Sequence, residues 1–159
     1  MLRPLVLALA LPFTALAAGP AESLLTAIQK KDAKAGAALL KPSVRYGAAG
    51  RDTTLPQPAE KVLGKIFKGL EQTFKGLPTE AFDCTRAGRE LGFMATEWQE
   101  SNAALAEWVR GLAERHCEGT ESAPPTFHFV KRLDGDRPHS IVVIEGGGDV
   151  PELSGFYHF

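Results

Sequence analysis

The chain has 159 residues and an almost balanced charge, with 18 lysines and arginines against 19 aspartates and glutamates. This length suffices for one ordinary domain with its own hydrophobic core. The balanced charge argues against nucleic-acid binding, because such binding relies on many basic side chains that neutralise phosphates.

The first 18 residues have the three parts of a cleavable secretory signal. A positive start precedes an apolar run from Leu5 to Leu11, and Ala15 and Ala17 are small residues that a signal peptidase accepts. The apolar run is far shorter than the roughly 20 residues of a transmembrane helix. We therefore expect residues 1–18 to be a signal peptide and residues 19–159 to be one domain without a membrane span. The composition suits a GC-rich bacterial genome, so we expect a periplasmic or secreted protein.

The next segments predict two short helices and a strand. Apolar residues at helical spacing indicate a helix over 22–29, and Asp32 is placed to cap a second helix that runs to Leu40. Residues 43–46 are a strand candidate. The glycines and prolines of residues 47–58 predict a loop.

The strongest amphipathic pattern runs from Ala59 to Lys75 and predicts a helix. One face carries apolar residues at positions 62, 63, 66, 67, 70 and 74, and the other carries lysines. The lysine face could touch anionic lipid or an acidic partner. Because Glu60 and Glu71 interrupt it, a solvated face is the favoured interpretation.

The segment that follows supports two interpretations. Leu91, Phe93 and Ala95 alternate with less apolar neighbours. This alternation favours strands at 82–85 and 90–98, and a helix over the second piece stays open.

The two cysteines, Cys84 and Cys117, are predicted to form a disulfide. An even number of cysteines in an exported chain indicates such a bond. Two buried thiols or half of a metal site are the alternatives, although the close cysteine pairs of zinc sites are missing from the sequence. Ser101 is expected to cap a helix that ends near Cys117, so the disulfide would join that helix to a strand at Cys84.

The C-terminal part of the chain predicts antiparallel strands. Residues 126–133 and 139–145 form the best hairpin pattern, with a turn around Asp134–Asp136. The run Ile141–Ile144 is apolar on both faces, which predicts a central strand that is covered on both sides. A last strand is expected at 153–159.

This order of elements predicts an α+β domain in which N-terminal helices pack on a curved antiparallel sheet. The segments Ala27–Asp32 and Ala37–Leu40, followed by Val44 and a short strand and helix, resemble the opening of NTF2-like (SnoaL-like) domains. The resemblance covers about the first third of the mature chain, and it implies long antiparallel strands at the C-terminus. The helix predicted after Ser101 departs from the pattern of that family.

Histidines are the main candidates for acid–base chemistry, and none lies in a metal-binding motif. His128 and His139 lie on the two arms of the hairpin and could meet across it, with His158 joining from the last strand. Asp136 or Glu145 could complete such a site. Exposed or hydrogen-bonded strand histidines are the simpler interpretation.

Aromatic residues form a second candidate set. If the sheet is curved, they could line a pocket for an apolar ligand, although core packing is their default role. Together with the hairpin histidines, the candidate ligand-binding residues are Phe93, Trp98, Trp108, Phe127, Phe129, His128 and His139.

The sequence contains no recognisable nucleophile, metal or cofactor motif. The run Gly146–Gly148 lacks the following helix that a phosphate-binding loop needs, so it predicts a turn. We therefore expect a non-enzymatic protein that binds a small apolar ligand or a protein partner, without metal or cofactor. The alternatives are a small acid–base enzyme that uses the hairpin histidines, and an envelope or immunity-type partner protein with a broad exposed apolar patch. The sequence predicts neither a particular catalytic residue nor an oligomeric state.

Overall fold

Six strands and six helices make up the part of the chain that the computed structural model describes, residues 18–48, 50–69, 79–131 and 139–159. The strands are β1 (Arg45–Ala48), β2 (Arg51–Thr54), β3 (Thr79–Phe82), β4 (Thr126–Lys131), β5 (His139–Glu145) and β6 (Leu153–His158). The helices are α1 (Pro20–Gln29), α2 (Ala33–Leu39), α3 (Ala59–Gly69), α4 (Cys84–Trp98), α5 (Ala103–Arg110) and α6 (Leu112–Cys117). Residues 1–17 of the expected signal peptide, the predicted helix beyond Gly69 and the hairpin turn with Asp136 lie outside the described residues.

The strands form one sheet in the order β2-β1-β6-β5-β4-β3. Neighbouring strands are antiparallel except β1 and β6, which run parallel. In β5 the side chains of Ile141 and Val143 join one core cluster, and those of Val142 and Ile144 join the other. The predicted hairpin of β4 with β5 and the central position of β5 are therefore confirmed.

Helices cover both faces of this sheet, which makes a three-layer α+β domain. α1, α2 and α3 pack on one face, and α4, α5 and α6 pack on the other. The predicted N-terminal layer is thus confirmed. The second layer contains α4, where a strand was expected, and α5 and α6, where one helix was expected. Within the described part of the chain, no helix is both long enough and apolar enough to cross a membrane.

A helix cap and an apolar stripe, both visible in the sequence, form the N-terminal helices. Asp32 Oδ1 accepts a hydrogen bond from Ala35 N at 2.9 Å, which caps α2. In α3, the apolar stripe turns Leu63, Ile66 and Phe67 into the core. These residues join the core cluster that contains Val143 and Phe156 of the sheet.

The prediction of a strand at 90–98 is wrong, because this segment belongs to the long helix α4. Asp83 begins the helix by accepting a hydrogen bond from Arg86 N at 2.8 Å. Ala87, Leu91 and the buried residues one turn further on face the core at helical spacing. Phe93, which alternation would bury, is 66% exposed. The segment forms a helix and not a strand because its buried positions are separated by three or four residues, which matches the helical period of 3.6 residues.

Two further boundaries differ from the sequence-based expectation. The single helix expected from Ser101 is two helices, α5 and α6, separated at Gly111, and its cap is Asn102, whose Oδ1 accepts from Leu105 N at 3.1 Å. The loop expected at 47–58 contains β2, whose four residues are all exposed. An exposed edge strand buries no side chain, so it leaves no hydrophobic pattern in the sequence.

The predicted disulfide between Cys84 and Cys117 is confirmed. It joins the first residue of α4 to the last residue of α6, and not to a strand as expected. The bond therefore closes the helical layer that packs over the central strands.

We expect reduction of this disulfide to lower the free energy of unfolding by about 3–4 kcal/mol, because the two cysteines are 33 positions apart and the released loop regains entropy in the unfolded chain. Urea unfolding with and without a phosphine reductant measures the difference. The double variant Cys84→Ala/Cys117→Ala should match the reduced protein and be insensitive to the reductant. Equal unfolding midpoints for the oxidised and reduced protein would contradict this expectation.

Candidate functional site

Two glycines make room for side-chain rings on the face of the sheet that α4, α5 and α6 cover. A Cβ atom on Gly47 would lie 2.5 Å from Tyr157 Cδ1 and 2.6 Å from Trp108 Cζ2. A Cβ atom on Gly155 would lie 3.0 Å from His116 Cε1. β1 pairs with β6, and Gly47 lies opposite Tyr157 in this pairing. The two glycines therefore leave adjacent spaces on the sheet, which the rings of Trp108 and His116 occupy.

His116 hydrogen-bonds the buried hydroxyl of Tyr157. Its Nε2 lies 2.6 Å from the Tyr157 Oη, and the two rings are nearly perpendicular, with centroids 5.5 Å apart. Burial, followed by the charges of Arg45 and Arg115, lowers the pKa of His116 to about 4, and burial raises the pKa of Tyr157. Both side chains are therefore neutral near pH 7, and one hydrogen bond satisfies polar atoms that the core would otherwise leave unpaired.

Arg115 connects this pair to the edge of the sheet. Its Nε lies 3.2 Å from Asp52 Oδ2, an ion pair without hydrogen-bond alignment, and its Nη2 donates to Trp108 O at 3.0 Å. The indole of Trp108 donates to Asp52 Oδ1 at 3.1 Å. Arg45 Nη1 lies 3.4 Å from the Arg115 carbonyl oxygen, a long hydrogen bond. Asp52 therefore connects the edge strand β2 to Trp108 in α5 and to Arg115 in α6.

A polar cleft of about 570 Å³ opens beside this network, between α6, the N-terminal end of β1 and the turn after β5. Its volume is in the range of sites for small molecules. The charged and hydroxyl-bearing groups that line it are Arg45, Arg115, His116, Glu118, Glu152, Ser43, Thr120 and Ser154. We call this cavity the polar cleft.

A second cavity of about 390 Å³ lies on the opposite face of β1, between α3 and the connection from β2. Its lining is mostly apolar, and Lys61 and Lys65 stand exposed on the same helix. The other lining residues are Tyr46, Pro56, Gln57, Pro58, Val62 and Ile66. We call this cavity the α3 groove.

The hairpin histidines do not occupy neighbouring positions in the sheet. His128 pairs with Val143, whereas His139 pairs with Lys131, so the two positions are four residues apart along β5. This separation corresponds to roughly 13 Å at the rise of an extended strand. His128 is half-buried, burial lowers its pKa, and its Nε2 has no hydrogen-bond partner among the described residues.

The other members of the predicted histidine site also have separate places. His158 lies opposite Ile141, between the two hairpin positions. Glu145 accepts a hydrogen bond from Ala21 N at 2.9 Å, and therefore caps the N-terminus of α1. In the part of the chain that the structure describes, no group of three or more histidine, cysteine, aspartate or glutamate side chains could hold a metal ion.

The predicted aromatic residues are distributed between core and surface. Phe127 and Phe129 are fully buried against α4, α5 and α6, on the face opposite to His128. Trp98 and Trp108 are partly buried at the edge of the same cluster, where both rings contact Phe159 at centroid distances of 5.9 and 5.8 Å. Phe93 lies on the outer face of α4. None of these residues lines the polar cleft or the α3 groove.

No family model, curated protein or solved structure matches this chain. The resemblance of its N-terminal third to NTF2-like domains therefore remains a prediction.

Sequence reasoning missed the residues that build the polar cleft. His116 lies in no sequence motif, and its contact with Tyr157 spans 41 positions of the chain and has no local pattern. Arg45 and Arg115 come together only because β1 pairs with β6 under α6. The one available indication was Gly155 within the apolar strand β6, since an isolated glycine in a strand often marks a close approach of another group.

We expect Gly47→Ala to lower the free energy of unfolding by about 1–3 kcal/mol, because the added methyl group collides with the rings of Trp108 and Tyr157. Thermal and urea unfolding measure the effect. Gly92→Ala is the matched control, since no described atom outside its own helix backbone lies within 4 Å of the new methyl group. The control should leave stability unchanged or raise it by up to about 1 kcal/mol. Equal destabilisation by both variants would contradict the interpretation that Gly47 leaves space for the two rings.

We expect the protein to lose stability as the pH falls from 6.5 to about 4, because the unfolded chain protonates His116 in this range while the folded chain does not. Above pH 6.5, His116 is neutral in both the folded and the unfolded chain, and its full contribution to the free energy of unfolding is present. At about pH 4 this free energy is lower by roughly 3 kcal/mol. Urea unfolding at a series of pH values measures it, and His116→Gln should flatten this part of the curve. Arg110→Gln, on the exposed side of α5, is the control that keeps the wild-type slope. An unchanged slope in His116→Gln would contradict the assignment.

Proposed function

We propose that the protein is an exported, non-catalytic binding protein, and that it holds a small amphiphilic ligand with an acidic group in the α3 groove. The observation that carries this proposal is a mostly apolar lining with two ammonium groups beside it. The volume of about 390 Å³ suits a small molecule. The disulfide is consistent with the oxidising compartment to which a signal peptide would deliver the chain.

The lining of the α3 groove suggests how such a ligand would be oriented. Val62 and Ile66 lie one helical turn apart and offer apolar surface to a hydrocarbon or aromatic body. Lys61 and Lys65 have the same spacing and are exposed, so they can pair with an acidic group that stays near solvent. This arrangement gives the lysine face of α3 a function that a merely solvated face would lack.

The alternative functions have less support from the described residues. A broad exposed apolar patch would favour a protein partner, but the large exposed apolar side chains of the described residues are Phe93 on α4 and Val150 after β5. The acid–base enzyme with hairpin histidines requires His128 and His139 to meet, and their strand positions are four residues apart. Ligand binding therefore remains our leading proposal.

We expect decanoate to bind with one-to-one stoichiometry in isothermal titration calorimetry, and decanol and decyltrimethylammonium to bind more weakly. The double variant Lys61→Gln/Lys65→Gln should weaken decanoate binding about tenfold, because it removes the charge pairing, and should leave decanol binding unchanged. Lys68→Gln is the matched control, since Lys68 is exposed on the same helix but does not line the α3 groove.

Two results would count against the proposal. One is the absence of saturable decanoate binding below the concentration at which decanoate forms micelles. The other is equal weakening by the groove variant and by Lys68→Gln, which would indicate a general effect of charge. Native mass spectrometry of the protein purified from its own compartment would then show whether a different ligand or a protein partner is retained.

A further inference from the structure

We propose that the polar cleft is a second binding site, which takes a small monocarboxylate on Arg45. This site is separate from the α3 groove, because Arg45 and Tyr46 are consecutive residues of β1 and line the two cavities on opposite faces of the sheet. The inference therefore does not depend on the proposed amphiphile.

The positive charge of Arg45 is not paired within the described part of the chain. Its Nη1 donates to a neutral acceptor, the carbonyl oxygen of Arg115 at 3.4 Å, and no described carboxylate lies within 4 Å of its guanidinium. The side chain is exposed and lines the polar cleft. A guanidinium is a planar fork of donors that matches a carboxylate with two parallel hydrogen bonds.

Arg115 is held in place beside Arg45. Asp52 and the Trp108 carbonyl oxygen fix its guanidinium, with contacts of 3.2 and 3.0 Å, and Asp52 compensates its charge. Its carbonyl oxygen accepts the long hydrogen bond from Arg45 Nη1. The cleft thus presents one uncompensated guanidinium on a wall that is already organised before a ligand arrives, which lowers the entropic cost of binding.

The rest of the lining argues for a ligand with a single negative charge. Glu118 and Glu152 also line the polar cleft, and Glu152 pairs with Lys41. Lys41 compensates the charge of Glu152, whereas the Glu118 carboxylate would repel a doubly charged anion such as phosphate more strongly than a monocarboxylate. The hydroxyl groups of Ser43 and Ser154 offer neutral hydrogen bonds to the remaining polar part of the ligand.

The wall of the polar cleft near the turn after β5 is closely packed. A Cβ atom on Gly147 would collide with the carbonyl oxygen of Pro124 and with the carbonyl group of Ala123. The turn therefore lies directly against the loop that follows α6. This contact gives the polar cleft a closely packed boundary at Gly147.

Propanoate titrated into ¹⁵N-labelled mature protein is the direct test, with backbone amide shifts as the readout. We expect saturable shifts at Ser43, Gly147 and Ser154, which line the cleft. Arg45→Gln should weaken binding about tenfold through loss of the charge-assisted hydrogen bonds. Arg110→Gln, which is exposed outside the cleft, should leave the affinity unchanged.

Arg45→Lys keeps the positive charge but not the planar guanidinium, so an intermediate affinity of this variant would support the guanidinium–carboxylate contact. The same variant tests the site if Arg45→Gln fails to fold. Phosphate should bind more weakly than propanoate, and tighter phosphate binding would overturn the monocarboxylate assignment. Shifts that never saturate, or that persist equally in Arg45→Gln, would overturn the site itself. The variant Lys61→Gln/Lys65→Gln should bind propanoate normally, so failure here and failure of the α3 groove are distinguishable.

Discussion

Tyr157 carries a hydroxyl group into the core, and the position of much of the surrounding structure follows from the need to satisfy it. The residue is fully buried, and its hydroxyl lies 2.6 Å from His116 Nε2. A buried hydroxyl without a partner would cost about 1–3 kcal/mol. The bond therefore fixes the end of α6 over β6, and the disulfide at Cys117, the next residue, then fixes α4 relative to α6. Gly155 supplies the space that this arrangement requires.

β1 links the two cavities that we propose as binding sites. Successive side chains of a strand point to opposite faces, so Arg45 lines the polar cleft and Tyr46 lines the α3 groove. The parallel pairing of β1 with β6 places Arg45 beside Gly155, under the ring of His116. A ligand in either cavity would therefore contact the same short strand, which pairs with β2 on its outer side.

The parts of the fold that sequence predicted well are those where one periodicity dominates. The run Ile141–Ile144 consists of β-branched apolar residues, which favours a buried strand, and the structure covers this strand on both faces. The strand prediction for residues 90–98 fails because buried Leu91 and Ala95 fit both a strand and a helix. The exposure of Phe93 distinguishes the two, and it is a property of the tertiary structure. The sequence offers the aromatic residues either as core or as the lining of a pocket, and in the structure the helical layer over Phe127 and Phe129 places these two residues in the core and outside both cavities.

The sequence by itself determined the α+β class, the pairing of Cys84 with Cys117, the capping of α2 by Asp32 and the central strand β5. Each of these depends on residue types or on the spacing of near neighbours, which can be read along the chain. Only the tertiary structure decided which charged and polar groups share a cavity. Arg45, Arg115 and His116 meet because a parallel pairing between β1 and β6 brings together segments about 110 positions apart, and such a pairing has no local signature.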